Sequence, residues 1–303
     1  MYYTKHIIQK FVLSILVCSL IIINNPLTAQ EVVGLSFGYE HFPYIKLADP
    51  STQTQDLEIQ TNTWNTGLSF PLVFSKGKIL ILNNINYRRV NFSYRNFPAG
   101  GTEIDQAQSI EYTAFMIDSL SDKWKMVAVL VPGIASDFES SLSSDDFTLQ
   151  AIFGFIRTYS KNFDLGFGLA YIRDFGPPLP LPFIYIDWKI NENLNAKGIV
   201  PTDMALTYKL NPRIDLGISL KIIGNRYHGN PNKFTNVSNP QMEYSEGTLS
   251  PFTQIHLTKW LHLSIEGGYA VYRNFEFLDG DDSVQSLDLE PAGYIRTRIV
   301  LGI

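Results

Sequence analysis

The sequence predicts an all-β protein, an antiparallel up-and-down transmembrane β-barrel of about 14 strands, within a range of 12–16. Three observations predict this fold. Apolar residues alternate with polar or small ones in stretch after stretch, which is the period of a strand with two different faces. Short turns alternate with long polar loops, like the periplasmic turns and outside loops of outer-membrane barrels. Several stretches also run past about ten residues, which suits a tilted membrane strand better than a globular one.

The composition excludes several classes of protein. Of the 303 residues, 17% are charged, against about 25% in an average soluble domain, and 13% are aromatic. The net charge of −5 argues against a nucleic-acid partner. A mean hydropathy of −0.01 does not suit a helical membrane protein, whose spans need about 20 apolar residues each. A single Cys excludes a disulfide scaffold.

Residues 1–29 have the pattern of a secretory signal peptide, which leaves 30–303 as the barrel domain. Lys5 and Lys10 supply the basic region, and 11–23 is the apolar region. This apolar run of about 13 residues is too short to span a membrane comfortably as an anchor.

Fourteen stretches carry the strand pattern, an even number with both chain ends on the short-turn side. They are 31–42, 58–74, 79–94, 107–120, 124–137, 147–159, 163–175, 183–190, 194–201, 203–210, 214–228, 243–257, 261–277 and 286–303. The weakest region is 191–212, where two short strands around Pro201 compete with one bent strand or a partial loop. The long loops are expected at 43–58, 95–108, 138–146, 176–182, 229–244 and 279–286.

A secreted β-sandwich would alternate too, and it is the main competing fold. Aromatic residues near the ends of the apolar faces favour the barrel, because such rings gather at both lipid–water interfaces. These residues are Tyr39, Trp64, Phe70, Phe74, Trp124, Trp188, Trp260, Tyr269 and Phe275.

Four segments of the second half carry a family resemblance: 224–227, 264–269, 275–281 and the closing strand after Pro291. Through them the last third of the chain is similar to an uncharacterised family of Gram-negative outer-membrane β-barrel proteins. The resemblance implies location in the cell outer membrane, contact with its lipid and lipopolysaccharide, and handling by the barrel-assembly machinery during biogenesis. It implies no activity. Such barrels commonly end in Phe, whereas this chain ends in Ile303, which weakens the assembly signal.

The faces opposite the apolar ones are expected to line the lumen. Charges of both signs occur there, so the lumen is predicted to be polar without the one-signed constriction of a selective pore. Mixed charges would alternatively pair across a narrow lumen and plug it. The predicted lumen-lining residues are Asn84, Arg88, Asp164, Asp187, Lys189, Asp215, Lys221, His256, His262, Glu266, Arg296 and Arg298.

Two histidines of this set are expected to face each other. If 258–260 is a three-residue turn, His256 lies opposite His262. A metal pair, or a His/Ser catalytic site with Glu266 as orienter, can be drawn from them. Two histidines fall short of a three- or four-ligand metal site, and a polar lumen needs such residues anyway. We therefore predict no catalytic, cofactor-binding or metal-binding residues.

Two loops stand out. The acidic stretch 279–282 resembles part of a calcium loop but lacks the spaced ligands and the closing Glu, so a solvated outside loop is expected. The Pro-rich stretch 176–182 is expected to be a rigid loop over the barrel mouth.

The leading functional hypothesis is a monomeric outer-membrane barrel acting as a narrow channel or passive transport pore for small solutes, without a cofactor and without enzymatic activity. Two alternatives stay open. One is a structural or adhesive surface barrel that acts through its extracellular loops. The other is a lipid-modifying barrel enzyme.

Overall fold

The structure is a computed structural model, and it describes residues 33–49, 51, 54–98, 104–172, 179–230 and 237–302. The predicted signal peptide, 1–29, lies outside the described residues. None of the helices in the described ranges is long and apolar enough to cross a membrane.

Strands dominate the described chain, and they form a single sheet. Their bounds are β1 (Gly34–Lys46), β2 (Glu58–Phe74), β3 (Ile79–Arg95), β4 (Gln106–Ser119), β5 (Trp124–Ser136), β6 (Phe147–Ser160), β7 (Phe163–Ile172), β8 (Leu179–Lys189), β9 (Leu194–Val200), β10 (Asp203–Asn211), β11 (Ile214–His228), β12 (Pro240–His256), β13 (Leu261–Asp279), β14 (Asp282–Asp288) and β15 (Ala292–Gly302). One-turn 3-10 helices lie at Ser75–Gly77 and Ser144–Asp146.

The sheet closes on itself into a barrel of fourteen strands, which confirms the predicted fold. Each consecutive pair from β1 to β13 is antiparallel, and β15 pairs with both β13 and β1. Strand β14 pairs with β13 alone and stands outside the ring. Closure matters in a membrane because a closed barrel leaves no edge of unpaired backbone groups facing lipid.

The outer surface is apolar on every strand of the wall. Examples are Phe37 on β1, Leu169 on β7 and Ile218 on β11, each about half exposed. Trp64, Trp188 and Trp260 also keep large exposed fractions on this surface. A soluble monomer rarely exposes contiguous apolar patches beyond a few hundred Å². Hydrocarbon is therefore the environment that this surface fits, and the protein is an integral barrel of the outer membrane.

The region 191–212 contains two strands, β9 and β10, joined by a turn at Pro201 and Thr202. The structure differs from the predicted loop 176–182, because β8 already begins at Leu179. Pro180 and Pro182 pair with β7, and β9 reaches β8 only from Ile184 onward. The two prolines thus stand where β8 is an edge, a position at which a missing N–H is tolerated. Residues 176–178 lie outside the described ranges.

The predicted loop 279–286 is instead a hairpin. Strand β13 continues to Asp279, turns at Gly280 and Asp281, and returns as β14. Gly280 has a φ of 64°, the left-handed conformation that glycine adopts without strain. The stretch predicted as one strand, 286–303, is therefore two, since β14 ends before Pro291 and β15 begins after it.

A β-bulge in β13 exchanges the two faces of that strand. The register with β12 shifts between Gly247 and Thr248, which pair with Tyr272 and Ala270. Below the shift the even-numbered residues of β13 point inward, and above it the odd-numbered ones do, as one extra residue requires. Phe275, predicted on the lipid-facing side, consequently lies buried in the interior with 2% exposure.

The hydrophobic core fills the interior toward the long-loop end. Phe92 of β3 meets Phe275 of β13 edge to face, with ring centroids 5.2 Å apart. Three strands, β2, β1 and β15, separate these two around the ring, so their side chains meet through the interior of the barrel. The core residues are Phe42, Ile45, Leu47, Leu57, Ile59, Val90, Phe92, Ile104, Ala107, Ala135, Tyr227, Met242, Tyr244, Ala270, Phe275, Leu287, Leu289 and Tyr294.

The end of β11 crosses the barrel mouth to β5. His228 pairs with Ser136 in parallel register, and the backbone N–H of Asp137 donates to the carbonyl of His228 at 3.1 Å. The backbone N–H of Asn230 donates to the Asp137 carboxylate at 2.7 Å. This crossing encloses the core between β1–β5 and β11–β15, and it leaves β6–β10 as the wall of a separate part of the interior.

Candidate functional site: the barrel interior

The structure places the predicted lumen-lining residues on the inward face of the wall. Arg296 of β15 shows this directly, because it reaches Glu246 of β12, a strand that is not its neighbour in the sheet. Residues that are paired directly across neighbouring strands point to the same face of the sheet, so the other predicted residues point inward as well. For example, Arg296 is paired with Glu266, and Lys221 with Asp203. Asn84, further round the wall, donates to the Ser69 hydroxyl at 2.8 Å.

Arg296 lies at the centre of a buried ion-pair network. Its Nε donates to Glu40 at 2.5 Å, and its two terminal nitrogens lie 3.0 Å from Glu246 and 2.9 Å from Glu266. Lys221 adds a 2.6 Å bond to Glu266, and the Tyr294 hydroxyl donates to the same carboxylate at 2.5 Å. Because buried charges are costly unless they are paired, these contacts hold the strands β1, β12, β13 and β15 in one arrangement.

Two further arginines are buried near this network. Arg273 donates to the Thr61 hydroxyl at 2.8 Å, and its guanidinium lies 3.8 Å from the Phe42 ring centroid. Arg88 interacts electrostatically with Glu40 and Glu246. On the opposite wall Asn225 of β11 donates to Glu111 of β4 at 3.1 Å. These cross-lumen contacts correspond to the plugging by paired charges that the sequence left as an alternative, and they occupy the β1–β5 and β11–β15 side of the interior.

The two histidines do face each other. Their Nδ1 atoms are 2.8 Å apart, and Nε2 of His256 is 2.9 Å from a carboxylate oxygen of Asp215. The carboxylate that orients the His256 ring is thus Asp215. Glu266, which was predicted for this role, is instead bound to Lys221 and Arg296. The catalytic arrangement drawn from the sequence is therefore not formed. Within the described ranges no group of three or more His, Cys, Asp or Glu residues is arranged to hold a metal ion.

The β6–β10 side of the interior is open to water. Lys197 points inward, pairs with Asp187 at 3.3 Å, and still keeps 59% of its side chain exposed. Lys189 and Lys209, also inward-facing, are exposed as well. Asp164 pairs with Lys125 of β5 at 3.1 Å. These exposed inward side chains place water-accessible space along the short-turn half of this wall. Toward the long-loop end of the same wall, Ala170, Ile172 and Phe183 form a second buried apolar cluster.

Two glycines on the inward face of this wall leave room for the ring of Phe183 to lie against the sheet. A Cβ placed on Gly168 would lie 2.6 Å from the Phe183 ring, and one on Gly154 would lie 2.8 Å from it. The Phe183 ring therefore occupies the space that side chains at these positions would take, so it lies against the wall of β6 and β7.

Two carboxylates of the acidic hairpin tip, those of Asp279 and Asp281, contact other parts of the chain. Asp279 accepts hydrogen bonds from the backbone N–H of Asn239 and from Ser238, and these donors hold the pKa of its carboxyl below the ordinary value. Asp281 pairs with Arg226 at 2.8 Å. Both carboxylates are therefore engaged with protein donors.

Sequence reasoning missed several interior residues, notably Glu111, Glu246 and Arg273. Alternation along the sequence does not identify Arg273 as inward-facing, because the bulge exchanges the two faces of β13 before this residue. Glu246 sits on a strand with polar residues on both faces, so alternation gives no inward direction there. Glu246 is separated by an even number of residues from Gln254 and His256, which were expected to face the lumen. This spacing could have identified Glu246 as inward-facing too.

The chain matches one family model and is similar to several solved structures. The model of a family described as "Domain of unknown function (DUF6268)" matches residues 25–284. No curated protein matches the sequence. An outer membrane channel of Pseudomonas putida F1 is similar at 8% identity, over 92% of this chain and 98% of that chain, with a TM-score of 0.49. The P. putida toluene transporter TodX (10% identity, 93% of each chain, TM-score 0.36) and the Escherichia coli outer membrane phospholipase A (9% identity, 92% and 93%, TM-score 0.34) are also similar.

Proposed function

The chain belongs to the DUF6268 family, and from its geometry we propose that it is a narrow, passive channel for small solutes in the outer membrane. As surroundings and partners we propose the outer-membrane lipid, lipopolysaccharide and, during biogenesis, the barrel-assembly machinery, with the protein acting as a monomer.

The main support for this proposal is that the inward-facing lysines of β8–β10 are exposed. A plugged barrel would bury such side chains, whereas Lys197 keeps most of its surface exposed even while it pairs with Asp187. Water therefore occupies the lumen beside these strands, and a small hydrated solute can follow water.

The packed side of the interior supports a narrow path. Fourteen strands enclose a bore wider than the side-chain-filled interior of an eight-stranded barrel. Here the aromatic core and the Arg296 network fill the part between β1–β5 and β11–β15. The remaining space lies along β6–β10, which suits single small solutes better than polymers.

Conductance of the refolded protein in planar bilayers tests the proposal. Thr207 and Leu206 are neighbours on β10, and they point into the lumen and toward lipid respectively. We expect Thr207→Trp to reduce single-channel conductance at least twofold, and Leu206→Trp to leave it unchanged. Wild-type protein without conductance above background would overturn the proposal, and so would equal conductance in both variants.

We also propose that the histidine pair has no enzymatic role. Asp215, His256 and His262 point into the lumen rather than toward lipid, so lipid chains in the membrane do not reach them. We expect His256→Ala and His262→Ala to give the same lipid composition of the outer membrane as the wild type. A change in acyl-chain content in either variant would instead support the enzyme alternative.

A further inference from the structure

A polar cavity of about 230 Å³ opens in the short-turn half of the lumen. Strands β11, β12, β13 and β15 form its wall. The polar side chains that line it are Lys221, Gln254, His262, Ser264, Arg296 and Arg298, with Glu266 as the carboxylate among them.

One cation of the lining, Arg298, has no matching carboxylate in the part of the chain that the structure describes. Lys221 and Arg296 are both paired with Glu266, and Arg296 is also paired with Glu40 and Glu246. Glu266 is already bound by Lys221 and Arg296, so it has little capacity left to neutralise a third cation. The cavity is therefore complementary to an anion.

Arg298 is the cation that the network leaves free. Among the described residues it has no hydrogen-bond or ion-pair partner, and its side chain is exposed to the lumen. Its cross-strand neighbours are Ser264 on β13 and Gly38 on β1, neither of which carries a charge. A guanidinium presents a planar fork of donors that matches a carboxylate in bidentate geometry.

The histidine pair supplies an acceptor beside it. Asp215 accepts the proton on Nε2 of His256, so in neutral rings Nδ1 of His256 is an acceptor and receives the Nδ1 proton of His262. Nε2 of His262 is then left with a lone pair, and His262 lines the cavity. On the wall His262 stands opposite Val300, diagonally next to Arg298, a separation of about 7–8 Å between backbone positions.

We propose that this cavity binds a small organic carboxylate that bears a hydroxyl group next to the carboxylate, a 2-hydroxy acid. Arg298 binds the carboxylate, and the ligand hydroxyl donates to Nε2 of His262. The cavity volume of about 230 Å³ corresponds to about eight waters at roughly 30 Å³ each, which fits a ligand of a few carbons. This inference rests on the proposed channel function in one respect, because it names the solute class that the channel would pass.

Binding to the refolded full chain in zwitterionic detergent tests the site without requiring conduction. The probes for titration calorimetry are lactate, propionate, which lacks the hydroxyl, and lactamide, which lacks the charge. We expect lactate to bind, propionate to bind at least threefold more weakly, and lactamide to show no saturable binding.

Variants separate the two recognition elements. We expect Arg298→Ala to weaken lactate binding at least tenfold, and Arg298→Lys to give an intermediate loss, because lysine keeps the charge but not the fork. His262→Ala should lower lactate affinity to that of propionate and leave propionate unchanged. Arg89→Ala removes the same charge from an exposed, outward-facing position of β3 and should bind lactate as the wild type does. A heat-modifiability gel establishes that each variant folds.

Other outcomes overturn the proposal. Wild-type binding unaltered in Arg298→Ala, equal affinities for lactate and lactamide, or no saturable lactate binding by the folded wild type would each do so. Lactate binding by a protein without conductance would remove the channel and keep the site. Conductance without lactate binding would keep the channel and remove the binding site.

Discussion

At the scale of single residues, Arg296 shows why charge pairing organises this interior. Three glutamates from three strands converge on one guanidinium, and all three are nearly inaccessible to solvent. Removing one partner of a buried ion pair is costly because the remaining charges are left without compensation. Arg298, two residues along the same strand, has no such partner among the described residues.

We therefore expect Arg296→Leu to destabilise the barrel by about 3–5 kcal/mol. Arg298→Leu is the matched control and should change the unfolding free energy by less than about 1 kcal/mol, since no buried carboxylate loses its partner. Urea unfolding of the refolded proteins in micelles, followed by tryptophan fluorescence, measures both. Equal destabilisation of the two variants would show that the glutamate contacts do not provide the stability.

Asp146 is a second residue with a definable energetic role, outside the membrane. Burial tends to raise the pKa of its carboxyl, but the backbone N–H of Ser143, the Ser136 hydroxyl and His228 together lower it. The His228 Nδ1 atom lies 3.2 Å away, at the end of β11 that crosses the barrel mouth. The ionised carboxylate thus stabilises this crossing.

Because the folded pKa is lowered, the stabilisation is present at pH values above the ordinary 3.8 of Asp and is lost as the pH falls through the lower folded value. We expect hydrogen exchange at the end of β11 to be slow at pH 7 and to accelerate, after correction for intrinsic rates, only below about pH 3.8. Asp146→Asn should show at pH 7 about tenfold faster exchange there, or about 1.4 kcal/mol. Identical exchange in both proteins at pH 7 would contradict this role.

At the scale of elements, close approach between neighbouring strands limits what β6, β7 and β8 can carry. A Cβ on Gly168 would lie 2.2 Å from the carbonyl oxygen of Phe153, which is backbone and cannot rotate away. Gly267 of β13 differs, since its nearest atom would be 3.8 Å away. The same substitution therefore has opposite consequences on the two strands.

We expect Gly168→Ala to destabilise the barrel by about 1–3 kcal/mol through overpacking. Gly267→Ala should be neutral or slightly stabilising, because alanine reduces the conformational freedom of the unfolded chain. The temperature at which the folded gel band is lost in a heat-modifiability series compares them. Equal temperatures for the two variants would exclude the steric account.

At the scale of the whole molecule, the interior is divided into a packed part and a hydrated part. The aromatic core and the buried ion pairs join β1–β5 to β11–β15, and the crossing of β11 to β5 encloses them. Strands β6–β10 line the hydrated part, where Lys197 keeps 59% of its side chain exposed. In the proposed channel, the inward lysines of these strands lie beside the path of the solute.

Reversing one of those charges should therefore change ion selectivity. Lys197→Glu is expected to shift the reversal potential in a potassium chloride gradient by an amount on the order of several millivolts toward cation preference, since the low-dielectric walls of the lumen focus the field of a charge that faces its water. Arg89→Glu makes the same change on the outer face and is expected to leave the potential where it was. A shift of equal size in both variants would point to surface charge instead of lumen charge.

The amino-acid sequence by itself determined the features that depend on local periodicity. Alternation with a period of two identified the fourteen wall strands, and it oriented residues such as Arg296, Arg298, His256 and His262 toward the interior. These are properties of one strand and its turn, so they need no knowledge of the opposite wall.

Tertiary structure alone decided what those residues meet. Arg296 joins Glu246, and Asn225 joins Glu111, across strands that are distant in sequence and not adjacent in the sheet. The bulge in β13 turned Phe275 inward against local parity. Such contacts depend on how the closed sheet is sheared, which no single strand encodes. For this reason the barrel was predictable from the sequence, whereas its packed core and its free Arg298 were not.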